Sequence, residues 1–194
     1  MSYYILAPYA KPQDSYLGFY VDDNSPIYDV NWESGERHSL EPNILIQAFV
    51  EDDSDEWDAE GWNSVFDYFN LPFPYVSQRL RDTLNAVGVS NIDYYPVAVE
   101  NSDGTIVHQC FAFNLIGCIA CADMAKSDVS SNGIDMIAVD FESLVIDESK
   151  TRGALMFRLA ESVNGIVVHE SVKNAIEAAG IDTLTFIPPE EWVS

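Results

Sequence analysis

Cys118 and Cys121 stand three apart in the stretch CIAC, and His108 and Cys110 stand two apart in TIVHQCFAF. The second pair would share one face of a strand, which brings four nitrogen and sulfur donors into question as a tetrahedral zinc set. The surroundings of each cysteine speak against it. They are the apolar neighbours of a buried strand, where a free thiol behaves as a small hydrophobe. A redox role fails separately, because CIAC does not open a helix after a strand. No metal and no cofactor are expected.

The stretch EDDSDEWDAE, residues 51 to 60, offers a different chemistry, with seven carboxylates in ten positions and no lysine or arginine among them. Aligning Gly61 with the sixth position of an EF-hand loop puts Glu56, Asp58, Glu60 and Asp67 on ligand positions. The match fails at the first ligand, which should be Asp, and at Asn63, where an aliphatic residue belongs. What remains is a solvated acidic loop or a surface that faces a partner. Trp57 favours the partner, since it has no periodic role and interface anchors are enriched in tryptophan. The candidate binding residues are Glu51, Asp52, Asp53, Asp55, Glu56, Trp57, Asp58 and Glu60. Trp57 would anchor, and the carboxylates would steer and pair.

Signatures of catalysis are missing. There is no GxSxG elbow and no phosphate-binding glycine loop, and His38, His108 and His169 sit in unrelated contexts. Among 32 carboxylates some pair falls close by chance, so their number is no evidence for an acid/base site. The chain does not read as an enzyme, and no catalytic residue is assigned.

Charge and composition narrow the partner. Nine basic against 32 acidic residues leave −23 over 194 residues. Such a field keeps a protein soluble, repels nucleic acid and anionic membrane, and draws in cationic partners. With 47% hydrophobic and 12% aromatic residues the chain can still bury a core. The start, MSYYILAPYA, lacks the positive region of a secretory signal, and no apolar run reaches the roughly 20 residues of a membrane helix. A soluble, cytoplasmic protein with reduced thiols is the expectation.

The elements that must carry these residues follow from periodicity. Residues 1 to 50 read as short strands, YYIL, YLGFYV and ILIQAFV, separated by prolines and Gly35. Trp62, Val65, Phe66 and Phe69 fall on one face of a helix. Leu80, Leu84 and Val87 predict a second, started by Ser77 and stopped by Gly88. IDYYPVAVE and TIVHQCFAFNL flank Asn101 to Gly104 as a β-hairpin. IGCIACA, IDMIAVDFESLVI and ALMFRL follow as apolar runs, separated by the polar loops SDVSSNG and DESKTRG. GIVVHESVKNAIEAAGIDTLTFIP reads strand, helix, strand, with Val172, Ile176 and Ala179 as the helix stripe and His169 in a capping or packing role. The fold class is α+β: an antiparallel or mixed β-sheet body with about three short helices and an acidic β-rich N-terminal lobe. The lobe spans residues 1–63 and the body 64–194.

Taken in order, YYIL, SQRLRDTLNAVG, IDYYPVAV, IGCIACADMAKSDV, LMFRL and the strand-helix-strand end resemble a bacterial domain-of-unknown-function family. That family is now grouped with the immunity proteins of polymorphic toxin systems. Two features depart from it: the chain has IDTLTF where the family often has a glycine, and the acidic stretch around residues 50 to 63 has no counterpart. The resemblance implies an inhibitor of a cognate toxin or effector in bacterial competition, acting by protein-protein interaction without turnover. The charge suits a basic partner and also a nucleic-acid mimic that blocks a DNA-binding protein. A metal-dependent enzyme of unrecognised type is the third reading.

Overall fold

A long hairpin forms the spine of the molecule. In the computed structural model, which describes residues 2–8, 19–41, 44–50, 66–130 and 139–194, the hairpin strands pair antiparallel from Ile92↔Leu115 to Glu100↔Ile106. The turn falls on Asn101–Gly104, where the Asn101 N–H donates to the Thr105 carbonyl and Gly104 takes φ +83°. A side chain resists that conformation, which is why glycine marks the turn.

The chain contributes β1 Tyr3–Pro8, β2 Phe19–Val21, β3 Ile46–Val50, β4 Tyr68–Phe69, β5 Tyr75–Val76, α1 Gln78–Val87, β6 Ile92–Glu100 and β7 Ile106–Leu115. After the hairpin come β8 Cys118–Ile119, β9 Asp128–Ser130, β10 Asp140–Ser143, α2 Glu148–Thr151, β11 Met156–Leu159, β12 Ile166–His169, α3 Glu170–Ala178 and β13 Leu184–Ile187. They build a six-stranded sheet, β2-β3-β6-β7-β5-β4, a five-stranded sheet, β13-β1-β12-β11-β8, and a two-stranded ribbon of β9 and β10. The fold is α+β with mixed and antiparallel sheets. Two of the pairings are parallel, β3 with β6 and β11 with β8.

Helix α1 starts and stops where its sequence says it should. The Ser77 hydroxyl accepts from the Leu80 N–H, and Gly88 closes the last turn. Leu80 and Leu84 face a core that includes Phe113, Leu115, Met156, Val172 and Ile176, which packs α1 and α3 onto residues from both large sheets. Each such leucine contributes roughly 1.5–3 kcal/mol on burial. A second core lies on the opposite face of the hairpin, where Ile27, Trp32 and Phe73 cover Val97, Val99, Cys110 and Ala112. The third holds Phe141, Leu144 and Trp192 against Ile5, Phe157 and Val167.

Two local expectations are corrected. The helix face assigned to Trp62, Val65, Phe66 and Phe69 begins outside the described residues, and its described end is not helical. Tyr68–Phe69 is a strand, and the Phe66 and Phe69 rings stack at 5.5 Å. The third helix lies instead in DESKTRG, read above as a loop. There the Asp147 carboxylate caps the Ser149 N–H, and Arg152 in a left-handed conformation, φ 54°, ends the turn.

The segment around Gly35 fastens the six-stranded sheet's cover to the five-stranded sheet. Gly117 donates its N–H to the Gly35 carbonyl at 2.8 Å. Gly35 has φ +70°, and a Cβ there would lie 2.5 Å from Cys118 Sγ. Gly35→Ala is therefore expected to cost about 2–3 kcal/mol, of which roughly 1–2 is the left-handed backbone. Combining it with Cys118→Ala should recover only the steric share. Equal melting temperatures for the wild type and Gly35→Ala would refute the close approach.

Candidate functional site

Half of the chain's net charge sits in residues 19 to 60, which hold thirteen carboxylates and a single cation, Arg37. Arg37 does not neutralise its own segment, because it pairs with Asp93 on β6 at 3.0 Å. Among the described residues, Asp22, Asp23, Asp29, Glu33, Glu36 and Glu41 form no ion pair with lysine or arginine. Asp22 accepts from the backbone N–H and the side-chain amide of Asn24, which hold its carboxyl below the ordinary value. It keeps its charge against mild acid.

The scaffold of this region is the β2 edge of the six-stranded sheet. Phe19 and Val21 of β2 and Ile46 and Ala48 of β3 point into the second core, which fixes the register Tyr20↔Phe49 and turns both of those rings to the other face. A single 3-10 turn, Pro26–Asp29, follows β2, with Ile27 buried beneath it. The Trp32 indole N–H donates to the Ile27 carbonyl at 3.2 Å and locks the turn onto the core.

The candidate binding residues Glu51, Asp52, Asp53, Asp55, Glu56, Trp57, Asp58 and Glu60 lie outside the described residues. The chain leaves the sheet after Val50 at the end of β3, is next described at Phe66, and enters the sheet again at β4, four strand positions away in the hydrogen-bonded order. The entry to β4 is pinned by Asp67, only 1% exposed. Its carboxylate accepts from Arg79 Nε and Nη2, each at 2.6 Å, from Thr183 Oγ1 at 2.6 Å and from the Ser77 hydroxyl. Burial pushes this carboxyl up, but the hydrogen bonds from Arg79, Ser77 and Thr183 and the charge of Arg79 outweigh it and hold the group below the usual carboxylate range. Asp67 is thus a structural acid rather than the calcium ligand considered from sequence.

The cysteine and histidine set does not assemble. Cys110 lies in the second core and Cys121 in the third, and Cys118 is exposed at the end of β8 with its thiol on the Ser34 carbonyl. Burial pushes the Cys110 and Cys121 thiols up to about 12, so neither supplies a thiolate near neutrality. His38 packs on Trp32, and burial lowers its basicity against the pull of Asp93 and Asn114. His169 caps α3, its Nδ1 accepting the Ser171 N–H at 3.1 Å. Among the described residues no group of three or more His, Cys, Asp or Glu is placed to hold a metal ion, and no helix is long and apolar enough to cross a membrane.

Residues 58–191, more than half of the chain, match the immunity protein family Imm11. The chain belongs to the Imm11 immunity protein family. No curated protein matches it. Membership implies a cognate toxin as partner and a role in toxin immunity. In this Imm11 protein the match begins inside the acidic run, so that Glu51, Asp52, Asp53, Asp55, Glu56 and Trp57 precede it while Asp58 and Glu60 fall within. It also excludes β1, β2 and β3, although β1 runs between β12 and β13 and β3 pairs with β6.

One residue escaped the sequence reading. Arg158 sits in the middle of LMFRL on β11, a strand buried throughout, and is itself 2% exposed. Of the eight described lysines and arginines, six reach a carboxylate within ion-pair distance and Arg152 is exposed. Arg158 instead donates to the backbone carbonyls of Val163 at 2.8 Å and Trp32 at 2.9 Å. A cation inside an otherwise apolar strand was the available signal, because charge is rarely buried without a structural task.

Proposed function

We propose that this Imm11 protein neutralises its cognate toxin in the cytoplasm by direct binding through an acidic surface, made of the run Glu51–Glu60 and the β2–β3 edge from which it departs. The observation that carries the reading is the concentration of thirteen carboxylates against one cation in residues 19 to 60 of a chain whose family implies a toxin partner. Unpaired charge of one sign raises the encounter rate with a basic protein and rejects partners of the same sign. The partner is therefore a basic toxin surface, with Trp57 as anchor within the acidic run. The same charge would suit a nucleic-acid mimic, and family membership favours immunity over mimicry.

The test uses the toxin domain encoded beside this chain's gene. Converting Asp52, Asp53 and Asp55 to lysine should slow association by roughly 10-fold or more at low salt and flatten its dependence on ionic strength. Cells that express the toxin should lose protection in parallel. An unchanged rate and salt slope would remove the acidic run from the mechanism.

A further inference from the structure

Three large apolar side chains stand exposed on or beside β2 and β3 of the six-stranded sheet. Tyr20 is 48% exposed, Tyr28 51% and Leu45 56%. Tyr20 lies against the half-buried Phe49 across the β2–β3 pair, ring centroids 5.7 Å apart. Tyr28 donates its hydroxyl to the Val21 carbonyl of β2 at 3.3 Å. Single exposed apolar residues are ordinary, but a group on one edge is the signature of an interaction surface. Edge strands are commonly blunted with lysine, and β2 and β3 carry none.

The fold also leaves a groove here. It measures about 350 Å³ and is lined by Pro26, Ile44, Leu45 and Phe49 together with the polar Asp22 and Gln47. Asp23 and Asp29 are exposed on the adjoining turn, and among the described residues none of these three carboxylates has a lysine or arginine partner. A groove of mixed apolar and polar lining, with one carboxylate in its wall and two more on the adjoining turn, is complementary to a side chain with a hydrocarbon stem and a cationic head. Tyrosines beside it supply large contact area at low conformational cost.

We infer that this edge is the apolar half of the toxin contact: the groove takes an arginine or lysine side chain of the toxin, and Tyr20 and Tyr28 close over its surroundings. The inference rests on the immunity reading and divides the labour within it. Carboxylates of the acidic run govern how fast the complex forms, and the aromatic edge governs how long it lasts.

Kinetics of binding to the toxin domain encoded beside this chain's gene separate the two. Tyr20→Ala, Tyr28→Ala and Leu45→Ser should each weaken binding by about 30-fold, through faster dissociation and with the salt slope unchanged. Val193→Ala, at an exposed apolar site elsewhere, should stay within about 2-fold of the wild type. Leu45→Lys, which adds charge at an exposed position without touching the core, serves as a further variant if Tyr20→Ala melts early, and it too should release the toxin faster. Wild-type dissociation rates for Tyr20→Ala, Leu45→Ser and Leu45→Lys would overturn the inference while leaving intact an immunity reading supported by protection of toxin-expressing cells. If the wild type neither binds that toxin nor protects, the immunity reading falls and the inference with it.

Discussion

Asp67→Ala is expected to cost about 3–5 kcal/mol of folding stability, because hydrogen bonds to a buried, charged carboxylate contribute roughly 1.5–3 kcal/mol each. The carboxylate is the hub of four side-chain hydrogen bonds. Without it the Ser77 and Thr183 hydroxyls lose their acceptor inside the protein, and Arg79 retreats to solvent, where half of its side chain already lies. For a chain of this length the loss corresponds to roughly 6–20 °C in melting temperature. Arg79→Met should be comparably costly, because it leaves the Asp67 carboxylate, 1% exposed, without its counter-charge. The pH dependence has a definite sign. A carboxyl held below its unfolded value, near 4, contributes fully above about pH 4 and loses that contribution as the pH falls through the folded value. Stability of the wild type relative to Asp67→Asn should therefore shrink in acid. Parallel pH profiles for the two would show that Asp67 is not ionised in the folded protein.

Legibility differed by range along the chain. The hairpin turn at Asn101–Gly104 and the caps of α1 and α3 were readable because each is decided by residues within a few positions of one another. The aromatic stretch ending at Phe69 defeated periodicity for a physical reason. A helical spacing of large apolar residues carries no information about whether a nearby acid is solvated, and Asp67 is held by Ser77, Arg79 and Thr183, the last of them 116 positions away. The parallel pairing of β3 with β6 is equally non-local, since Ile46 meets Val97. Short apolar runs such as IQAFV announce a strand without naming a neighbour.

The candidate site shows the same division. The charge of residues 51 to 60 and a tryptophan with no periodic role could be read directly, because composition needs no neighbour in space. The aromatic edge could not, because Tyr20 and Phe49 become one surface only when β2 and β3 pair in the register that buries Phe19, Val21 and Ala48. Nothing local distinguishes the inward Phe19 from the outward Tyr20.

Arg158 is the second position where a large effect is expected, and the two simplest replacements should differ in an informative order. Its guanidinium spans the Trp32 and Val163 carbonyls, so it ties β11 to the segment that covers the second core and carries Asp29 and Glu33. Burial lowers the pKa of the group, yet guanidinium stays charged at any pH at which the protein folds. Lysine keeps the charge but ends in a compact ammonium on a shorter reach, which cannot bridge both carbonyls. It would leave a buried cation short of partners, at about 2–4 kcal/mol. Methionine leaves the same two carbonyls unmet but removes the desolvated charge and fills the space with apolar atoms, which offsets part of the loss. Arg158→Lys is therefore expected to melt below Arg158→Met, against the usual ranking of a conservative change. The opposite order would mean that charge at this position, rather than the fork geometry that joins the two carbonyls, holds the cover in place.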